Sequence, residues 1–174
     1  MGRDKAYLEV DGLPLLERTA ALAQAIDLPV LIVGRLQPAD WPLDGVQFVE
    51  DAQTGRGPLG GLHRALTKAK GPVLLIACDM PRLSTDALRW LLAEGQSERA
   101  GECGLITTNS AHWEPLFSVY TPLCLALIDE RMQQSRLSLH GLIEAGDFRY
   151  SAAPDWLEPL LLNINTPEEL QEIS

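Results

Sequence analysis

Short apolar runs bounded by turn residues alternate along the chain with segments whose apolar positions recur at helical spacing. That alternation is the pattern of βαβ units and a largely parallel sheet, so the fold class read from the chain is α/β. From Pro14 to Ile26, the residues Leu15, Leu16, Thr19, Leu22, Ala23 and Ile26 share one helical stripe, with Pro14 suited to the first turn and Asp27-Leu28-Pro29 closing it. Val30-Leu31-Ile32-Val33 predicts a strand ending at Gly34, and a polar, proline-containing connection leads to a second strand, Val46-Gln47-Phe48-Val49. Glu50 to Gly57 reads as a loop. Pro58 to Lys70 reads as a helix carrying Leu59, Leu62, Ala65, Leu66 and Ala69 on one stripe and stopped by Gly71-Pro72. Val73 to Cys78 is apolar throughout and ends at Asp79, which predicts a strand buried on both faces in the middle of the sheet.

The second half is less regular. Ser84 is placed to cap a helix through Leu92, with Asp86 in its first turn. Gly104 to Thr107 and Pro115 to Tyr120 predict strands, and Pro122 to Met132 and Leu139 to Ala145 predict helices. Leu160 to Ile164 predicts a last short strand before a capped helix start at Thr166-Pro167-Glu168-Glu169-Leu170. The 174 residues contain no repeat or low-complexity linker, and that length suits one domain, residues 1–174, with a core that needs no disulfide or metal staple.

Charge narrows the partners. A net charge of −10 disfavours nucleic acid, whose affinity comes from Lys and Arg neutralising phosphates. A phosphorylated small molecule approaching such a chain needs clustered basic residues or Mg²⁺ to screen the repulsion. Cys78, Cys103 and Cys124 form no CxxC pair, which fits ordinary buried thiols in a reducing cytoplasm. No run approaches the roughly 20 apolar residues of a membrane span, and no cleavable leader is read, so a soluble cytoplasmic protein is expected.

Several motifs carry candidate chemistry. Met1-Gly2-Arg3-Asp4-Lys5 reads as the rear of a phosphate-binding loop, in which the Lys5 ammonium could grip a triphosphate, or as a plain charged terminus. Gly55-Arg56-Gly57-Pro58-Leu59-Gly60 satisfies G-x-G-x-x-G, but Glu50 to Thr54 separates it from the preceding strand where a dinucleotide fingerprint needs an immediate turn. A simpler use of Gly57-Pro58-Leu59-Gly60-Gly61 is a helix N-terminus whose bare amides approach a base edge or phosphate, the alternative being a structural turn. Asp51 and Asp79 follow two successive strands and should share the carboxyl edge of the sheet, where open α/β folds bind ligands. Asp79, displayed by the abrupt Met80-Pro81 exit, suits Mg²⁺ that also touches a phosphate, or the capping of a turn. His63, His112 and His140 show no ligand spacing, and no G-x-S-x-G elbow is present, which argues against zinc enzymes and hydrolases.

Met1-Gly2-x-Asp4-Lys5, Gly57-Pro58-Leu59-Gly60-Gly61, Cys78-Asp79-Met80-Pro81, Glu114-Pro115-Leu116-Phe117-Ser118-Val119-Tyr120 and Asn163-Ile164-Asn165-Thr166-Pro167-Glu168-Glu169-Leu170, in this order, resemble the molybdenum cofactor guanylyltransferase family from first residue to last. The resemblance implies a Rossmann-like nucleotidyltransferase fold with a mostly parallel three-layer α/β/α sheet. It also implies transfer of GMP from GTP to the phosphate of molybdenum-molybdopterin, with Mg²⁺ and release of pyrophosphate. Carried over by position, Lys5 holds the triphosphate, Asp51 and Gly57 to Gly61 line the guanine nucleotide, and Asp79 ligates Mg²⁺. Arg136, Asn163 and Asn165 fall on the molybdopterin side, turn and cap chemistry being the alternative for the two asparagines. Transient contact with molybdoenzymes or cofactor chaperones follows from the same resemblance. The family's leading strand and Leu-Ala-Gly-Gly-x-x-x-Arg loop have no counterpart before Met1, so an upstream extension or an inactive form is expected. Other readings are a non-catalytic nucleotide-fold module that binds pterin or a molybdoenzyme, a molybdopterin cytidylyltransferase, and a dehydrogenase built on the Gly55 to Gly60 turn.

Overall fold

The computed structural model describes residues 5–50, 56–96, 101–110 and 112–164. A single 3-10 turn, Lys5–Tyr7, leads into a two-residue hairpin of β1 (Glu9–Val10) and β2 (Leu13–Pro14), whose turn at Asp11 and Gly12 has positive φ at both residues. Helix α1 (Leu15–Gln24) follows, burying Leu15, Leu16 and Ala20. Its end is set by Asp27 at φ 59, which lets Leu28 N donate to the Ala23 carbonyl (3.1 Å) and Asp27 N to the Gln24 carbonyl (2.9 Å).

β3 (Leu31–Val33) and β4 (Gln47–Val49) pair in parallel, Ile32 opposite Phe48. Helix α2 (Gly57–Ala69) buries Leu59, Leu62, Ala65 and Leu66, and Lys70 at φ 56 closes it. β5 (Val73–Ile76) and α3 (Thr85–Gln96) come next, the Ser84 hydroxyl accepting from Ala87 N at 3.3 Å as a cap. The chain continues through β6 (Gly104–Thr108), β7 (Trp113–Tyr120), α4 (Leu125–Gln133), α5 (Leu139–Ala145) and β8 (Phe148–Ala152).

The strands fall into two larger groups. β3–β4 is one, and β5-β7-β6-β8 is the other, with β7 antiparallel to both neighbours and β8 parallel to β6. One face of the four-stranded sheet packs on α2, α4 and α5 through Leu62, Ile106, Tyr120, Ile128 and Leu142. The other packs on α3 through Ala87, Leu88, Leu91, Leu105, Phe117 and Val119, with Leu22 of α1 and Ile26 just after it against its rim, so the layers are α/β/α.

Four expectations change. β5 ends at Ile76, not Cys78, and all four of its residues are half-buried, not enclosed on both faces. The reason is its place: β7 covers one edge, and among the described residues no strand ladders the other. Leu160 to Ile164 is not a strand; a 3-10 turn, Glu158–Leu160, holds the apolar residues, with Leu161 and Ile164 buried singly. The predicted Pro122 to Met132 helix divides into a 3-10 turn at Pro122–Cys124, capped by the Thr121 hydroxyl, and α4. β8, Phe-Arg-Tyr-Ser-Ala, has no apolar run and was not expected as a strand. The Thr166 to Leu170 helix start lies outside the described residues.

Pairing of β6 with β7 slips between Leu105 and Thr107: Leu105 faces Val119, yet Thr107 faces Glu114. Pro115, which has no N–H to donate, sits in the slipped stretch. The Ser118 hydroxyl repairs the ladder by accepting from Thr107 N (3.0 Å) and donating to the Glu114 carbonyl (2.7 Å). Thr107, Glu114 and Ser118 are the buried polar residues among those described, and all belong to this bulge.

Candidate active site

β5, β6 and β8 run in one direction and β7 in the other, so the C-terminal ends of the first three and the start of β7 form one edge. On that edge stand Asp79 after β5, Asn109 after β6 and Glu114 near the start of β7. This is the side on which open α/β sheets hold ligands. The Asp79 Oδ1 atom is buried without a hydrogen-bond partner, a position that suits a cation better than solvent-starved isolation. Among the described residues no group of three His, Cys, Asp or Glu residues is arranged to hold a metal.

Two ties fix the loop that carries Asp79. Ile164 N donates to the Asp79 carbonyl at 2.9 Å, which brings the preceding residue, Asn163, to the same loop. Arg18 on α1 donates from Nε to the Pro81 carbonyl (3.0 Å) and from Nη2 to the Leu83 carbonyl (3.3 Å). Sequence reasoning did not single out Arg18; an arginine on an otherwise apolar helix stripe beside Thr19 was the available signal.

The structure therefore brings Asp79 and Asn163 together. Asp51, Asn165 and Met1 to Asp4 lie outside the described residues. Lys5 is half-buried in the first 3-10 turn, which packs against α1 through the Leu15 N to Leu8 carbonyl bond of 2.9 Å and the buried Ala6. Arg136 is exposed in the α4–α5 connection, where its backbone N donates to the Arg131 carbonyl.

Gly57 to Gly61 form the first turn of α2 without a side-chain cap, leaving amides available to an anion. Gly57 has φ 55, and a Cβ on Gly60 would meet the Arg56 Cβ at 2.6 Å, so both positions require glycine. Leu59 is fully buried, so contact with a ligand there falls to its backbone. Beside this helix an open cleft of about 690 Å³ is lined by Arg35, Gln37, Phe48, Glu50 and Arg64, a size suited to a nucleoside. Arg35 lies over the Tyr7 ring at 5.5 Å, and Arg64 Nη1 donates to the Glu50 carbonyl at 2.7 Å.

A polar cluster stands at the start of β7, around Glu114, which opens one of the motifs of the resemblance but to which the sequence assigned no role. Glu114, 6% exposed, accepts from Asn109 Nδ2 at 2.6 Å and meets His112 Nε2 at 3.1 Å, both on Oε1. Burial pushes its carboxyl above the usual range, against the lowering pull of His112, Asn109 and His140. The missed signal was a lone glutamate between Trp113 and Pro115 at the head of an apolar strand.

Comparison with known proteins agrees with this geometry. Residues 1–147 match the MobA-like NTP transferase domain. A probable molybdenum cofactor guanylyltransferase from Nostoc sp. is 32% identical over 99% of this chain and 84% of its own length. A molybdenum cofactor guanylyltransferase from Pseudomonas aeruginosa is 30% identical over 97% of this chain and 85% of its own. Among solved structures, molybdopterin-guanine dinucleotide biosynthesis protein A from Archaeoglobus fulgidus superposes with a TM-score of 0.78 at 24% identity, covering 98% of this chain and 89% of that one. The 2-C-methyl-D-erythritol 4-phosphate cytidylyltransferase from Thermus thermophilus does so with a TM-score of 0.66 at 19% identity, covering 97% and 91%. Among the described residues no helix is long and apolar enough to cross a membrane. Sequence match, sheet order and the carboxylate at the strand edge converge: the chain belongs to the MobA-like NTP transferase family of nucleotidyltransferases.

Proposed function

We propose that the protein transfers GMP from GTP to the phosphate of molybdenum-molybdopterin, releasing pyrophosphate, in the cytoplasm and with Mg²⁺. The observation that carries this reading is the partnerless, buried oxygen of Asp79 at the C-terminal sheet edge, beside the Asn163 segment. In this reading Lys5 grips the triphosphate, Asp51 and the first turn of α2 hold the guanine nucleotide, and Arg136, Asn163 and Asn165 meet molybdopterin. Asp79 would hold Mg²⁺, which supplies charge neutralisation at the phosphates. The acceptor phosphate is itself the nucleophile toward the α-phosphorus, so the chain needs to position and neutralise, not to form a covalent intermediate. The product would pass to molybdoenzymes or cofactor chaperones through transient contacts.

The test is transfer from radiolabelled GTP, or from CTP as competitor, to molybdopterin with and without Mg²⁺. Guanine-selective, Mg²⁺-dependent transfer is expected, and Asp79→Ala should lower it by at least a hundredfold with the fold intact. Preference for CTP would instead make the protein a cytidylyltransferase, and pterin binding with no transfer would make it a non-catalytic module.

A further inference from the structure

The segment from Cys78 to Ser84, between β5 and α3, carries Asp79 and belongs to neither element. Its backbone has to find partners outside any ladder or helix. The Asp79 carbonyl accepts from Ile164 N at 2.9 Å and the Met80 carbonyl from Leu83 N at 3.2 Å, while Pro81 has no N–H to give. Two further contacts come from a single side chain 63 and 65 positions away: the Pro81 carbonyl accepts from Arg18 Nε at 3.0 Å and the Leu83 carbonyl from Arg18 Nη2 at 3.3 Å. Met80 and Leu83 are buried, so the segment is seated by two apolar side chains, tied at its front by Ile164 and hung at its back from one guanidinium.

The helix that bears Arg18 places it for this. Arg18 stands one turn before Leu22 on α1, and Leu22 packs against the cluster that contains Met80 and Leu83. Leu15, Leu16 and Ala20 fasten α1 by burial, independently of the arginine. Among the described residues no carboxylate pairs with Arg18; its hydrogen bonds go to the segment behind Asp79. A guanidinium presents Nε–H and one Nη–H as a fixed fork, which holds two carbonyls of a non-helical turn at once, as an ammonium does not. The placement of Asp79 calls for such a hold. Its Oδ1 atom is buried without a hydrogen bond, and a carboxylate oxygen in that position gains by turning to water. It stays only where the backbone that carries it is fixed from several sides.

We propose that Arg18 is a positioning residue for the ion ligand: by fixing the carbonyls of Pro81 and Leu83 it keeps the Asp79 segment in the one arrangement that leaves Oδ1 available to a divalent cation. The proposal rests on the transfer reading above, in which Asp79 meets Mg²⁺. In this role Arg18 acts through the backbone and touches neither ion nor substrate. Groups that orient a metal ligand from behind typically carry roughly ten- to hundredfold in metal affinity or activity, which sets the scale of the effect.

Arg18→Met tests it, since methionine keeps an unbranched stem and removes the fork; Arg18→Lys, which keeps the charge as well, is the second variant. Hydrogen exchange comes first. The Leu83 and Ile164 amides, which close the Asp79 segment, should exchange at least about tenfold faster in Arg18→Met and by a smaller factor in Arg18→Lys, while the amides of Ala20 in α1 and Leu75 in β5 keep wild-type rates. Mn²⁺ titrated into the full chain with GTP present, followed by water-proton relaxation, should bind about tenfold more weakly to Arg18→Met than to wild type. In the transfer assay kcat should fall by a similar factor, with the KM for GTP within about twofold. In an Asp79→Ala background Arg18→Met should weaken Mn²⁺ binding no further, because the two residues act as one unit. Unchanged exchange at Leu83 and Ile164 overturns the proposal. So does faster exchange with Mn²⁺ binding equal to wild type, or a loss of Mn²⁺ binding that adds to that of Asp79→Ala, because Arg18 would then serve the fold alone. Failure of the transfer reading looks different: the wild type would bind Mn²⁺ no better than Asp79→Ala, and the role of Arg18 would fall with it, whereas failure of that role alone leaves this gap intact.

Discussion

The β3–β4 pair and the four-stranded sheet are made from similar apolar runs, yet they hold very different cores. Around β3 the buried members are Ala6, Leu16 and Ile32, of which only Ala6 is fully enclosed, with Trp41, Val46 and Phe48 half-covered. Trp41 stacks edge-on to Phe48 at 5.0 Å but leaves its Nε1 buried without a partner, a burden of about 1–3 kcal/mol. The four-stranded sheet is instead enclosed by two clusters that include Phe117, Tyr120, Leu88, Leu91, Leu142 and Ile143, all at or below 1% exposure. The turn that bears Lys5 belongs to the thin side, whereas Leu59 in the first turn of α2 is a member of the thick core and Asp79, His112 and Glu114 stand at the edge of the thick sheet. Ligand-binding segments drawn from the low-stability end can open and close while the chemistry stays fixed.

That contrast can be broken by experiment. Phe117→Ala removes a fully buried ring from the thick side and should cost about 3–5 kcal/mol in denaturant unfolding. Ile32→Ala should cost about 2 kcal/mol, near the lower end for such a truncation because the thin cluster can relax around it. Hydrogen exchange should show the amides of β3 and β4 opening before those of β6 and β7; equal protection in both would remove the distinction.

A smaller effect concerns pH. Because folding raises the Glu114 carboxyl above its ordinary 4.5, its contribution to stability is complete below about that pH and is lost as pH rises through the folded value. Urea unfolding of wild type against Glu114→Gln between pH 4 and 7 should show the wild type losing ground as pH rises; a difference that does not change with pH would mean that the carboxyl is not desolvated. Least visible is Cys124, fully buried in the thick core with its thiol pushed up to about 12. At pH 8 about one thiol in ten thousand is then ionised, so iodoacetamide should label Cys124 only through unfolding, and Phe117→Ala should speed that labelling.

Much of this was legible in the sequence where one residue sets one local choice. Leu139 to Ala145 came out with the bounds read from its spacing, because Ser138 caps it and Leu139, Leu142 and Ile143 share a face. Asp79 could be placed at a strand end because an apolar run stops at an acid before proline. β5 failed for the opposite reason: an apolar run reports that a strand prefers burial, but its neighbours decide how far that is met. The bulge that sets Thr107 opposite Glu114 was illegible, because a shift in register between two strands leaves no mark in the periodicity of either.

Arg18 links the thin and thick sides. Its guanidinium is a strut from α1 to the carbonyls of Pro81 and Leu83, and the other flank of α1 seats the turn that bears Lys5. A pull on Lys5 by a bound triphosphate would be felt at the loop behind Asp79 as strain on two hydrogen bonds. The helix would then act as a lever arm, letting the arrival of one substrate set the tension in the segment that meets the ion.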